Sequence, residues 1–127
     1  MTLDRVRAEA LLLSGKRDDA FTLYAKLAKE NPDNGPIQEG YAEALLSTTD
    51  KASLQQALDQ WRRIAARSKA RTPRWFKAKY SVALAQFKLG DKQAAGQLLH
   101  YTLETPPGLE RTGWQAHFAE LLKRCQM

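Results

Sequence analysis

Two histidines and one cysteine are the side chains from which metal binding or nucleophilic chemistry near neutral pH would first be built: His100, His117 and Cys125. A helical metal site needs ligands three or four residues apart, with further His, Cys or carboxylate groups beside them. The two histidines lie on different helices, and no cysteine or carboxylate cluster stands beside either. No HExxH sequence, nucleophile elbow, glycine-rich phosphate loop or paired CxxC occurs, so the machinery of the common hydrolase, nucleotide and redox sites is missing. Catalytic, metal and cofactor residues are therefore none in this reading, and a non-catalytic protein is expected. Lys123 and Arg124 beside Cys125 would lower its thiol pKa, although the residue also closes an apolar helical stripe.

The second kind of chemistry is electrostatic. The net charge is +6, from 20 basic and 14 acidic residues. Residues 1–59 carry seven basic and ten acidic side chains, and residues 60–127 carry thirteen and four. From Gln60 to Gly90 there is no acid at all. Arg62, Arg63, Arg67, Arg71 and Arg74 form a candidate basic patch, extended by Lys77, Lys79 and Lys88. Such a stretch suits phosphates, anionic lipid or an acidic protein segment. It is also the composition of a solvated face that keeps a protein soluble. Trp75 beside Arg74 could stack on a base, but no RNA- or DNA-binding motif surrounds it. An acidic protein partner is favoured over nucleic acid.

These residues must be positioned by helices. Ala, Leu, Gln, Lys and Arg are abundant and β-branched residues few, which favours helix over sheet. With 127 residues the chain is expected to form a single all-α domain. The apolar spacing predicts seven helices. Helix 1 runs from about Leu3 to Ser14 and ends at Gly15. Helix 2 is capped by Asp18 and runs to Glu30, with Ala20, Leu23, Tyr24, Leu27 and Ala28 inside. Helix 3 spans Ile37 to Ser47 on Ile37, Tyr41, Ala42, Leu45 and Leu46. Helix 4, capped by Ser53, buries Leu54, Ala57, Leu58, Trp61, Ile64 and Ala65. Helix 5 starts at Thr72–Pro73, threonine at the N-cap and proline at the first helical position, and buries Phe76, Tyr80, Ala83, Leu84 and Phe87. Asp91 caps helix 6, which buries Ala94, Ala95, Leu98, Leu99 and Leu103 and stops at Pro106, Pro107 and Gly108. Helix 7, Thr112 to Cys125, carries Trp114, Phe118, Leu121 and Leu122 and reads as a lid over the end of the stack. No apolar run approaches the roughly 20 residues that span a bilayer. The N-terminus lacks a signal-peptide pattern. The single cysteine favours a reducing, cytoplasmic setting.

The helices repeat. Gly15, Ala20, Leu23 and Pro32 return 75 residues later as Gly90, Ala95, Leu98 and Pro107. Between them Ala57, Trp61 and Ile64 reproduce the spacing of Ala20, Tyr24 and Leu27. On these residues the chain resembles the tetratricopeptide repeat, a 34-residue pair of antiparallel helices. Ala8, Leu11, Gly15, Ala20, Tyr24, Leu27 and Pro32 fit the first repeat. Ala42, Leu45, Ala57, Trp61 and Ile64 fit the second, and Ala83, Gly90, Ala95, Leu99 and Pro107 the third. Insertions near Thr48–Ala52 and Ala70–Trp75 account for the 75-residue offset. The bulky residue that the pattern places early in each first helix is missing, with Asp4, Gln38 and Lys79 there, and Gln86 replaces an apolar residue in the third repeat.

The resemblance implies a right-handed superhelix of three repeats, about 1–34, 35–71 and 72–107, with a capping helix at about 109–127. It implies alanines at the helix crossings, Ala8, Ala42 and Ala83 within pairs and Ala20, Ala57 and Ala95 between them. It further implies a concave groove lined by first helices, here Arg5, Glu9, Leu12, Glu39, Glu43, Lys77, Tyr80, Leu84, Phe87 and Lys88, acidic in its middle and basic towards its C-terminal end. Leu12 and Phe87 are equally natural as core. Members that clamp a C-terminal carboxylate use cations and asparagines where this chain has Arg5 and Lys77 but also Glu9, Gly40 and Ser81, which argues against that ligand. The expected function is a scaffold for a protein or peptide segment. The alternatives are a self-associating piece of a longer solenoid and electrostatic binding of an anionic partner. Leu11, Leu12 and Leu13 cannot all face helices 2 and 3, so a homodimer through helix 1 is a further expectation.

Overall fold

A computed structural model describes residues 2–105, 109 and 112–127, with side chains from Val6 onward. Among the described residues there are seven helices and no strand: α1 (Thr2–Leu13), α2 (Arg17–Glu30), α3 (Gly35–Leu46), α4 (Lys51–Arg67), α5 (Pro73–Lys88), α6 (Lys92–Glu104) and α7 (Gln115–Cys125). Each packs on the next in sequence, and α7 also reaches α5. No described helix is long and apolar enough to cross a membrane. The stop expected at Pro106, Pro107 and Gly108 lies outside the described residues.

The two glycine stops are built alike. Gly15 and Gly90 adopt φ of +84° and +91°, a conformation that costs a residue with a Cβ about 1 kcal/mol or more. Behind Gly15 the Lys16 amide donates to the Leu11 carbonyl at 2.9 Å, and behind Gly90 the Asp91 amide donates to Gln86 at 2.9 Å. Both are the six-to-one bond that closes a helix and turns the chain back.

The N-terminal caps match expectation in two cases and correct it in two. Thr72 Oγ1 accepts from the Trp75 amide with Pro73 behind it, and Asp91 accepts from the Ala94 amide. Helix α2 starts one residue before Asp18, at a Lys16 N-cap that makes no side-chain bond. Asp18 instead lies in the first turn, where its charge meets the positive end of the helix dipole. In α4 the cap is Asp50, not Ser53: its carboxylate accepts from both the amide and the hydroxyl of Ser53. Those bonds hold the Asp50 carboxyl below the usual carboxylate range. Helix α3 starts two residues earlier than expected, because the Asn34 side chain accepts from the Ile37 amide. Helix α7 starts later, at Gln115.

The core forms three adjoining clusters. One joins Ala8, Tyr24 and Ala44. A second runs from Ala42 through Leu54, Ala57 and Trp61 to Ala78 and Val82. The third joins Phe76, Ala83, Ala95 and Leu99 to Leu109, Phe118 and Leu121. Ala8, Ala20, Ala42, Ala57, Ala83 and Ala95 are all fully buried. A methyl group at such points lets helix axes approach to about 8 Å.

The expected stripe of α4 is buried in full. That of α5 is not. Tyr80, Leu84 and Phe87 are half-buried, while Ala78, Ser81, Val82 and Ala85 are buried beside Phe76 and Ala83. Helix α5 touches α4, α6 and α7, so no single stripe describes it. In α7, Phe118 and Leu121 are buried against α6 and α5, and Trp114, Leu122 and Cys125 are half-buried at the edge. At the other end Val6 is 53% and Leu13 89% exposed, while Leu11 and Leu12 are half-buried.

Replacing Ala20 or Ala95 by Trp is expected to overpack a helix crossing and cost about 1–3 kcal/mol or more, whereas Trp at the exposed Lys92 costs little. Thermal melts of the three variants check this. Equal melting points would place Ala20 and Ala95 outside the tight contacts.

Candidate functional site

One face of the molecule is built by α3, α5 and α7. Glu39 and Glu43 sit one turn apart on α3, and Arg74 and Lys77 lie opposite them on α5. Arg74 Nε is 3.1 Å from Glu39 Oε1, and Lys77 Nζ is 2.5 Å from Glu43 Oε1 and 3.9 Å from Glu39 Oε2. The acidic middle expected here is thus neutralised by α5. Pro36, Pro73 and Trp114 complete a shallow hollow over these ion pairs. Beneath them Trp61 is fully buried, its Nε1 without a hydrogen-bond partner among the described residues, and the Lys77 ammonium stands 6.0 Å from its ring centroid.

Further along the same face, rings replace charges. Tyr80 is 5.4 Å from Trp114, 5.9 Å from His117 and 5.8 Å from Phe118 between ring centroids. Burial raises the Tyr80 hydroxyl pKa, partly offset by Arg124, so the phenol is neutral and serves as a hydrogen-bonding, stacking surface. Leu84 is half-buried between two core clusters. Phe87 lies under the Arg124 guanidinium at 4.9 Å. Lys88 donates to the Leu46 carbonyl at 2.7 Å, so its charge closes the end of α3. Leu12 packs beside Ala8 and Tyr24, and Glu9 is exposed on α1. The Arg5 side chain lies outside the described residues.

The five arginines of the basic stretch do not form one patch. Arg71 occupies the left-handed region at φ +65°, donates to the Thr105 carbonyl at the end of α6 and stands over the rings of Phe76 and Trp75 at 5.3 and 6.0 Å. Arg62 lines hollows on the side of α5 and α6. Arg63, Arg67 and Arg74 instead converge on a cavity of about 450 Å³ between the α2–α3 turn, α4 and the start of α5. Lys29 from α2, which the sequence pattern did not single out, joins them there. Arg67 Nη1 donates to the Pro32 carbonyl at 2.7 Å and lies 3.7 Å from Asp33 Oδ1. On the floor, Gln60 Nε2 donates to Gln38 Oε1 at 2.5 Å, and Gln38 Nε2 donates to Ala28 and Asn31 carbonyls at 2.9 and 3.1 Å. Gln60, polar yet 5% exposed, was invisible to an apolar-stripe reading.

The histidines are apart. His100 Nε2 lies 3.3 Å from Glu104 one turn on, and the His117 ring lies 5.0 Å from that of Trp114, tilted at 55°. Among the described residues no three His, Cys, Asp or Glu side chains cluster as metal ligands would. Burial raises the Cys125 thiol pKa, with Lys92 and Arg124 pulling partly the other way. This reverses the lowering expected from Lys123 and Arg124. No family model, curated protein or solved structure matches this chain.

Two measurements follow from this geometry. A double-mutant cycle on Lys77→Ala and Glu43→Ala should give a coupling of about 0.2–1 kcal/mol, falling as salt is added. A coupling indistinguishable from zero at low salt would mean that the two side chains act independently. Because the thiolate is the reacting species, iodoacetamide at neutral pH should alkylate Cys125 more slowly than free cysteine, and equal rates would show that burial does not govern the thiol.

Proposed function

We propose that this chain is a tetratricopeptide-repeat array, with repeats at about 1–34, 35–71 and 72–107 and a capping helix at about 109–127, forming a right-handed superhelix. Its role is that of a non-catalytic scaffold that binds a protein or peptide segment on the face of α3, α5 and α7. The observation that carries this reading is the complete burial of Ala8, Ala20, Ala42, Ala57, Ala83 and Ala95, the residues that match the small positions of the repeat. The identical closure of the two helices at Gly15 and Gly90 adds to it. The binding face is supported by what it offers a peptide: a hollow over paired charges, then the half-buried rings of Tyr80 and Trp114. Neutralised charges and accessible aromatic rings are the surface on which peptide anchors gain most.

A second reading, self-association as part of a longer solenoid or as a homodimer, draws on the exposed Val6 and Leu13 of α1. Light scattering over a wide concentration range, repeated with Leu13→Glu, tests it: the reading requires a mass that rises with concentration and a variant that stays monomeric.

The scaffold reading is tested by panning a displayed peptide library on the purified protein. Binders are then titrated into isotopically labelled protein and amide shifts are followed. Perturbations are expected along α3, α5 and α7. A library with no binder, or binders whose shifts avoid these helices, would overturn the assignment of this face.

A further inference from the structure

The cavity between the α2–α3 turn, α4 and the start of α5 adjoins the face just described and shares Arg74 with it, but its chemistry is more specific. Four cationic side chains line it: Lys29, Arg63, Arg67 and Arg74. One carboxylate lines the cavity with them, Asp33, whose side chain is 97% exposed at the rim. Arg63 has no carboxylate or carbonyl partner among the described residues. Burial raises the Tyr41 hydroxyl pKa, and the nearby Arg63 charge offsets part of that rise. Arg67 spends one nitrogen on the Pro32 carbonyl, and Arg74 engages Glu39 through Nε, so both keep donors free. Guanidinium groups with unspent donors in a partly enclosed space select planar anions, which they bind in pairs of parallel hydrogen bonds.

The cavity also has a device that sets one of these groups in place. Gly35, the first residue of α3, lies directly under the Arg74 guanidinium, and a Cβ at that position would collide with it. The missing side chain is what lets Arg74 fold back over the start of α3.

The shape decides among anions. A volume of about 450 Å³ falls within the roughly 300–1,000 Å³ of ligand sites, and Ala28, Pro32 and Ile64 form an apolar wall. Inorganic phosphate would leave that wall uncovered. No aromatic ring lines the cavity, so bases would find no stacking platform. Side chains with a short apolar stem and a carboxylate tip satisfy both the wall and the arginines. We infer that this cavity docks an acidic segment of a partner protein, placing Asp or Glu carboxylates against Arg63, Arg67 and Lys29. The inference rests on the scaffold reading and adds to it a second contact point, of defined charge, beside the face of α3, α5 and α7.

The probe is fluorescein-labelled hexaglutamate, followed by anisotropy at low ionic strength, with hexaglutamine and a single-stranded hexanucleotide as competitors. Saturable binding is expected, weakened by salt. Arg63→Ala and Arg67→Ala should each weaken it about fivefold, through loss of one charge-assisted guanidinium–carboxylate contact. Lys123→Ala, the same loss of charge on exposed α7, should change it less than about twofold. Asp33→Asn, which removes the competing carboxylate, should tighten it. Gly35→Ala should weaken binding without lowering the melting temperature, because the alanine displaces a flexible guanidinium rather than backbone; a purely structural role for Arg74 would instead move the melting temperature. Equal effects of Lys123→Ala and Arg63→Ala would overturn the inference in favour of diffuse charge, and stronger competition by the hexanucleotide would overturn it in favour of a nucleic acid. If hexaglutamate does not bind while library peptides still map to α3, α5 and α7, this inference fails and the scaffold reading stands. If neither binds, both fail.

Discussion

Close approach of helices at alanine is the constraint on which the rest of this structure depends. Six alanines are fully buried, five of them in the clusters that join the helices, and a larger side chain in those clusters would separate two axes. That separation would also pull apart the groups placed at the surface by the same contact. Lys77 reaches Glu43 only because α5 lies close to α3. Arg63 and Arg74 share a cavity only because α4 packs beside α5. The alanine contacts therefore set the spacing of the charged surface as well as that of the core.

A second constraint follows from making seven short helices. Each ends in carbonyls without intrahelical partners, and here several are met by cations from a different helix or connection. Lys88 of α5 donates to Leu46 at the end of α3. Arg67 of α4 donates to Pro32, just beyond α2. Arg71, between α4 and α5, donates to Thr105 at the end of α6. A cation at the negative end of a helix also gains from its dipole. The acid-free run from Gln60 to Gly90 is thus partly a set of struts between helix ends, which needs bases but no acids.

The sequence made the helices legible and their surroundings less so. Helix α4 shows its whole buried stripe in its spacing because one side of it faces solvent. Helix α5 misleads because it is packed on several sides, so half-buried Tyr80 and Leu84 carry the period while small Ala78 and Ala85 fill the contacts. Buried Ser81, Thr102 and Thr48 were hidden for another reason: each hydroxyl donates to a carbonyl three or four residues back, so it enters the core without a partner visible in the apolar pattern. The caps at Asn34 and Asp50 were within reach of the sequence, since each has its acceptor three residues ahead of the amide that it binds. The candidate sites were least legible. The run of arginines is continuous in the sequence, but the fold sends Arg62, Arg71 and the Arg63–Arg67–Arg74 group to three different places.

Net charge is consequently a poor guide to where this protein would bind, and the fate of individual charges is a better one. Lys77, Lys88 and Arg71 are committed to carboxylates or carbonyls of their own chain, and displacing them would cost an internal contact for each external one gained. Among the described residues Arg63 and Lys29 have no such commitment, and they face the same cavity. On the face of α3, α5 and α7 the balance is the reverse. Its ions are paired, and what remains accessible is the ring cluster of Tyr80, Trp114 and His117. One surface therefore offers uncommitted charge in a partly enclosed space, and the other offers apolar area bordered by spent charge. On the proposed scaffold role, a single extended segment with acidic and apolar portions is complementary to both.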